Sequence, residues 1–379
     1  MSLPANATAN TQTAPQPYLG LIEGFYGRRY SEDERAYLCD FLASHGYSFY
    51  IYSPKADPHL RDRWQEDLLS DHDYVAYLQR MSAQAHEQHL DYGIALSPLN
   101  LTADLEHLQD LAIQRVKELC TITHCEIFAL LFDDMVKDSE QIGALQNRII
   151  SAIEKELPDF VQHFIICPSY YTDDPVLDKL FGKRPEHYFT DLTANLPERV
   201  EIFWTGERVL SNDITPEYLE HITQLLGRKP FIWDNYPVND GKNISSFLYL
   251  KKFNGRRNLS GHITGHAVNP MVQPRLSTLA ACTLPLIYQG KSNEEINAAH
   301  LKQAKALFGK AFAMFLKADN LRLFTEVGLK NMTINDRARL IELSHIDNTP
   351  ALAEIEDFLN GSLRFDQDII AGTHKLSEA

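Results

Sequence analysis

Basic charge is in short supply. Lys and Arg number 36 against 51 Asp and Glu, a net charge of −15 over 379 residues. Binding to nucleic acid or to an anionic membrane requires a surplus of Lys and Arg on one face, so neither is an expected partner. Cysteine is also scarce: Cys39, Cys120, Cys125, Cys167 and Cys282 are odd in number and scattered, and three sit in or beside apolar runs. That pattern excludes a disulfide framework and fits reduced core residues, and no C-x-x-C spacing offers a zinc site. No apolar stretch is long enough to span a bilayer. The opening "MSLPANATANTQTAPQPY" has neither the basic nor the apolar section of a signal peptide. The expected compartment is the cytoplasm, although a secreted chain stripped of its leader would read the same way. Asn-x-Ser/Thr sequons at Asn100 and Asn243 arise by chance and carry no weight in such a chain.

What the chain has instead is a regular alternation. With 44% hydrophobic residues it can bury a large core. Residues 1–17 have almost nothing to bury and are expected to form a disordered tail. From Tyr18, eight short apolar runs recur: "YLGLIEGFYG", "YSFYIYSPK", "LDYGIALSP", "EIFALLFDD", "HFIICPSYY", "VEIFWTG", "PFIWDNYPVND" and "HITGHAVNP". Helix-like segments separate them. In "SEDERAYLCDFLASHG", Ser31 and Glu34 form a capping box and Gly46 is a stop; "DHDYVAYLQRMSAQAHEQH" is amphipathic at helical period. Strands apolar on both faces and separated by helices predict a parallel sheet covered on both sides. Eight of them over 18–290 predict a (β/α)8 TIM barrel of the α/β class. A doubly wound open sheet is the second choice, but no Gly-x-Gly-x-x-Gly follows the first run. Beyond Gly290 strand signals stop, and 291–379 is expected to be a helical appendage.

Active sites of such barrels lie at the C-terminal ends of the strands. The residues there are Glu23 and Gly24, Lys55 and Asp57, Asp133 and Asp134, Tyr170 and Tyr171, Thr205 and Gly206, Asp234, Asn235, Asn239 and Asp240, and Asn269. Carboxylates, amides, a Lys and aromatic rings suit a sugar, whose hydroxyls need donors and acceptors and whose C–H faces need a platform. Nothing suggests a phosphate cradle. The fourth run, "CEIFALLFDDM", ends in two adjacent acids. Held together in a partly dry site they resist double ionisation, so one pKa should rise and leave a proton donor beside an anion. Adjacent residues are too close to flank a glycosidic bond from opposite faces. The pair therefore fits hydrolysis in which the substrate's own 2-acetamido group is the nucleophile.

The stretches "GLIEGFYGR", "YIYSPKADPHLRDRW", "FDDM", "FWTG", "WDNYPVND" and "VNP", in this order from Leu19 to Leu284, resemble the catalytic domain of glycoside hydrolase family 84, the β-N-acetylglucosaminidases that include O-GlcNAcases. As an ordered set they are specific. The resemblance implies retaining, substrate-assisted cleavage of terminal β-linked N-acetylglucosamine on protein or glycan, with no metal or other cofactor. It also implies roles: Asp133 to polarise the acetamido group, Asp134 as general acid/base, and Tyr171 to bond the acetamido carbonyl and its oxazoline. Gly24, Lys55, Asn235, Asp240 and Asn269 would hold the sugar, with Trp233 or Tyr52 as walls. Departures from the family pattern are "GRRY" in place of Gly-Arg-Pro-Trp, Phe132 in place of Trp and Tyr170 in place of Glu. They are expected near the rim.

Blander readings exist for each feature. The acids could be helix N-caps or half of a salt bridge, and a metal site from Asp133, Asp134 and Asp138 matches no Ca²⁺ loop. His262 and His266 are four apart, but in a strand-like segment, which points to packing. Phe25, Tyr50 and Trp204 are assigned to the core. Lys55 and Asp57 could form a rim pair, and Arg61 and Arg63 are expected in solvent. Two other functions stay open: a β-hexosaminidase of free or cell-surface glycans, and a catalytically silent N-acetylglucosamine-binding module.

Overall fold

A computed structural model describes residues 17–347 and 349–365. Apart from Pro17, the expected tail lies outside the described residues, as do the last residues of the expected helical appendage. The eight runs form strands β1 (Tyr18–Ile22), β2 (Phe49–Tyr52), β3 (Asp91–Leu96), β4 (Ile127–Leu131), β5 (His163–Cys167), β6 (Val200–Trp204), β7 (Phe231–Asp234) and β8 (Gly265–Val268). Each pairs in parallel with the next, and β8 pairs with β1, closing the barrel. The open-sheet alternative is thereby excluded.

Helices run between the strands: α1 (Glu32–Ser44), α2 (His72–Glu87), α3 (Leu105–Thr123), α4 (Ile142–Glu156), α5 (Val176–Phe181), α6 (Tyr188–Thr193) and α7 (Pro216–Leu226). The capping box of α1 forms as read: Ser31 Oγ accepts from the Glu34 amide, and the Glu34 carboxylate accepts from the Ser31 amide. Helix α2 is capped by Asp71.

Strand alternation decides what each side chain meets. Aromatic rings from four strands meet inside the barrel: Tyr18 and Phe49 at 4.6 Å between centroids, Phe49 and Phe231 at 5.9 Å, Phe203 and Phe231 at 5.3 Å. Residues two apart from these along each strand also face inward; their neighbours face the helices. On the outward side of β1, Glu23 accepts from two of the three Arg35 side-chain nitrogens, Nε and Nη2, at 2.7 and 2.9 Å and from the Tyr50 hydroxyl at 2.5 Å. Behind β7 and β8, Asp234 is bound by Arg256 and His266. Burial opposes its ionisation, but Arg256 and then His266 hold its carboxyl far below the usual range.

After β8 come α8 (Pro274–Ala281), α9 (Leu284–Tyr288), α10 (Asn293–Phe315), α11 (Gly328–Asn331), α12 (Ile334–Asp347) and α13 (Pro350–Asn360). Leu276 and Leu279 of α8 pack with Phe308, Phe312, Leu352 and Ile355 in a second core. Beyond α13 the chain turns back to the barrel. Phe365 joins the barrel's own core cluster, donates its amide to Ser245 Oγ at 3.2 Å, and sits against Gly27. At Gly27, φ is +112° and a Cβ would lie 2.4 Å from the Phe365 ring, so the turn needs glycine on both counts.

Glu354 of α13 reaches the start of α8 and accepts from the amides of Arg275 and Leu276 at 3.1 and 3.0 Å, amides that have no partner within the helix. Burial pushes its carboxyl up to about 7. A carboxyl raised in the folded state contributes stability below its unfolded pKa and loses it as pH rises through the folded value. From the ordinary 4.5 to about 7 this amounts to a loss on the order of 3 kcal/mol. The thermal midpoint of the protein should fall between pH 5 and 8, and Glu354→Gln should flatten that fall. An unchanged slope in the variant would assign the pH dependence to other groups.

Candidate active site

A cavity of about 440 Å³ opens at the C-terminal ends of the strands, within the range of roughly 300–1,000 Å³ that holds small ligands. Gly24, Asp133, Asp134, Tyr171, Trp233, Asn235, Asp240 and Asn269 all line it. The strand rule explains most of its floor. Gly24, Asp133, Cys167, Thr205, Trp233, Asn235 and Asn269 lie an even number of residues beyond inward-facing positions of their strands. Asp134 has the wrong parity. It reaches the cavity because its backbone is left-handed, with φ +58°, a conformation that costs a non-glycine residue about 1 kcal/mol or more.

Four elements converge on the two aspartates. Lys55, following β2, donates from Nζ to Asp133 Oδ2 at 2.5 Å. Its ammonium also lies 5.9 Å from the centre of the Tyr26 ring and 5.8 Å from that of Trp233. Tyr26, following β1, donates its hydroxyl to Asp134 Oδ2, and Tyr171, following β5, donates to Asp134 Oδ1, both at 2.9 Å. Burial and then the charge of Asp133 push the Asp134 carboxyl up, against the opposing pull of Lys55. Asp134 is thus the member whose neutral form is favoured, and Asp133 is the member with a cation against it. Asp133 Oδ1 is buried and has no partner among the described residues.

On the far side, Asn235 Oδ1 accepts from Trp233 Nε1 and from Asn269 Nδ2, each at 2.9 Å, and Asn235 Nδ2 donates to the Val209 carbonyl. Asn269 Oδ1 is a second buried acceptor without a partner among the described residues. Buried acceptors left unpaired cost free energy, so two of them on residues lining one cavity invite a ligand with N–H or O–H groups. Asp240 accepts from the Tyr26 amide at 2.8 Å, and burial, with Asp134 adding to it, pushes its carboxyl up to about 6.

Tyr52 must be corrected: it does not reach the cavity. It has the outward parity of β2, is fully buried, donates to Asp57 Oδ2 at 2.6 Å and lies under the Arg35 guanidinium. Lys55 is present behind Asp133 and makes no rim pair with Asp57, which is held by Arg29. Arg61 is not in solvent. It is buried, donates to Ser97 at 2.7 Å and lies 5.7 Å from the centre of the Tyr26 ring. Of the departures from the family pattern, Arg29 of "GRRY" is exposed as expected, while Tyr30, Phe132 and Tyr170 lie inside rather than at the rim. Phe132 is core, Tyr170 donates to the Gly182 carbonyl, and Tyr30 donates to the Met271 carbonyl.

His266 is buried between Asp234 and Tyr288, while His262 faces Glu220. Asp138 accepts from Thr102, and among the described residues no three His, Cys, Asp or Glu side chains are grouped to hold a metal. Sequence reasoning left Tyr26 unassigned between core and site, although it stands two residues past Gly24 in "EGFYG". It missed the loops that form the cavity's mouth, whose residues carry no motif.

Two adjacent carboxyls, one pushed up by burial and one set against a lysine, under a cavity with an indole wall, are the equipment of a barrel glycoside hydrolase. The sequence model of the family described as beta-N-acetylglucosaminidase matches residues 19–320, and the chain belongs to that family, glycoside hydrolase family 84. It is 27% identical over 284 residues to the Protein O-GlcNAcase of Rattus norvegicus, covering 72% of this chain and 30% of that one. The Mus musculus protein of the same name matches to the same extent. The chain thus spans less than a third of the length of these relatives. A mutant O-GlcNAc hydrolase of Thermobaculum terrenum superposes with a TM-score of 0.70 at 21% identity, covering 90% of this chain and 80% of that one, a likeness of fold.

Gly24 tests the rigidity of the wall. A Cβ there would lie 2.3 Å from a ring carbon of Trp233, so Gly24→Ala must displace the indole and, through it, Asn235 and Asn269. Overpacking of this kind costs about 1–3 kcal/mol, and kcat/KM on an aryl N-acetylglucosaminide should drop at least about tenfold with near-ultraviolet circular dichroism still reporting a folded protein. Wild-type activity would mean that the indole is not a fixed wall.

Proposed function

We propose that the protein is an exo-acting, retaining β-N-acetylglucosaminidase of the O-GlcNAcase type, which uses the substrate's acetamido group as its nucleophile. The observation that carries this reading is the unequal pair: the Asp134 carboxyl is pushed up by burial and by Asp133, while Asp133 holds one oxygen against Lys55 and has the other buried and without a partner among the described residues. An amide N–H of the substrate is a suitable donor for that second oxygen.

In the first step the acetamido carbonyl oxygen attacks C1, the bond from C1 to the leaving oxygen breaks, and Asp134 transfers its proton to that oxygen. Asp133 accepts the acetamido N–H and balances the charge of the oxazoline formed, and the Tyr171 hydroxyl, which donates to Asp134 in the free protein, would turn to donate to the reacting oxygen. In the second step a water attacks C1, Asp134 takes its proton, and the acetamido group is released. Two inversions leave the anomeric configuration retained. Asn269 Oδ1 and Asp240 would accept from sugar hydroxyls, with the Trp233 indole against the C–H face.

Hydrolysis should occur with an aryl 2-acetamido-2-deoxy-β-glucoside and not with the plain aryl β-glucoside, with the 2-acetamido-β-galactoside reporting how strictly the 4-hydroxyl is read. Cleavage of both glucosides alike would remove the acetamido group from the mechanism. Tight binding of N-acetylglucosamine without turnover would favour a binding module.

The two aspartates should separate by leaving group. Asp134→Ala should cost about 10²–10⁴-fold on glycosides with poor leaving groups, and far less on activated aryl glycosides that need no protonation. Asp133→Ala should be severe on both, because the internal nucleophile loses its orientation. Equal losses across leaving groups in Asp134→Ala would count against its role as the acid.

A further inference from the structure

The mouth of the cavity is asymmetric. On one side it is built from α5 and the loops following β6 and β7, which carry Lys179, Arg208 and Lys242 respectively. All three are exposed, and none takes part in an ion pair among the described residues. The mouth's one acid from the loops following β5 and β6, Asp174, is occupied: Oδ1 accepts from the Val176 amide at 3.0 Å and Oδ2 from the Val209 amide at 3.5 Å, tying the loops together. Three uncommitted cations at one opening stand out in a chain with a net charge of −15.

Between the cations the mouth is aliphatic. Val176, Leu210 and Ile244 line it, and Leu210 is 44% exposed. Apart from Tyr171, which is bound to Asp134 on the floor, these stretches present no aromatic ring to the cavity among the described residues, and a second sugar would be expected to find one at the mouth, because its C–H faces stack on rings. Cations interleaved with aliphatic side chains complement a polypeptide that carries acidic and aliphatic residues.

Resting on the hydrolase reading above, we propose that the group beyond the scissile bond is an acidic polypeptide segment, bound by Lys179, Arg208 and Lys242 on the β5–β7 side of the mouth. These residues act on the recognition of the aglycone, and the chemistry at C1 is left to the residues on the floor.

The test uses serine-linked N-acetylglucosamine glycopeptides of equal length whose flanking residues are acidic, neutral or basic, with an uncharged aryl N-acetylglucosaminide as reference. Exposed pairs are individually weak, so at low salt kcat/KM should favour the acidic over the neutral peptide by about fivefold and disfavour the basic one. The preference should fade at about 0.5 M salt, where charges are screened within a few ångströms. It should also fall toward unity in the Lys179→Gln, Arg208→Gln, Lys242→Gln triple variant, judged as the ratio of acidic to neutral peptide.

Equal rates for acidic and neutral peptides, or a preference that survives in the triple variant, would overturn the assignment. So would an advantage shown by an anionic disaccharide and not by the acidic peptide. Failure to cleave the aryl reference would instead bring down the hydrolase reading itself.

Discussion

Two neighbouring carboxyl groups out of bulk water cannot both carry an uncompensated charge, and the arrangement at the mouth of this barrel follows from that limit. One is compensated by Lys55, and the other, under the hydroxyls of Tyr26 and Tyr171, has its carboxyl pushed up by burial and by its neighbour. The three supporting groups follow β2, β1 and β5, while the acids follow β4. No local segment could bring them together; closure of the sheet does. Supporting groups on several strand ends hold the pair more rigidly than neighbours in one loop could.

The barrel also needs its outward polar side chains satisfied. Glu23 with Arg35 and Tyr50, and Asp234 with Arg256 and His266, are buried ionic clusters behind β1 and behind β7 and β8. Each is the sequence neighbour of a cavity residue, Gly24 or Asn235. Breaking a buried pair by removing one partner is costly. These clusters therefore fix the strand ends on which the cavity residues stand.

Much of this was legible in the sequence. The eight runs, the capping box at Ser31 and Glu34, and the acid pair at the end of the fourth run all carry local physical signals. What the motifs did not convey was direction. Strand-end residues were read as one set, whereas alternation sends Glu23, Tyr52 and Asp234 to the helices and Gly24, Asp133 and Asn235 to the cavity. Parity would have removed Tyr52, given that Phe49 faces inward, but no single run says which parity is inward. Arg61 was placed in solvent because its loop looks polar; its ring contact with Tyr26 joins residues 35 positions apart. Asp134 breaks parity through a left-handed backbone, which Asp tolerates better than most residues and which sequence does not announce.

Phe365 has a bearing on how the molecule comes apart. It follows α13 yet fills space in the barrel core, against Gly27, one residue from the Tyr26 that holds Asp134. Detachment of Phe365 would open a gap beside the cavity before any strand separated. The barrel and the helices packed on α8 are therefore linked in cooperativity as well as in contact, and should melt as one unit rather than two.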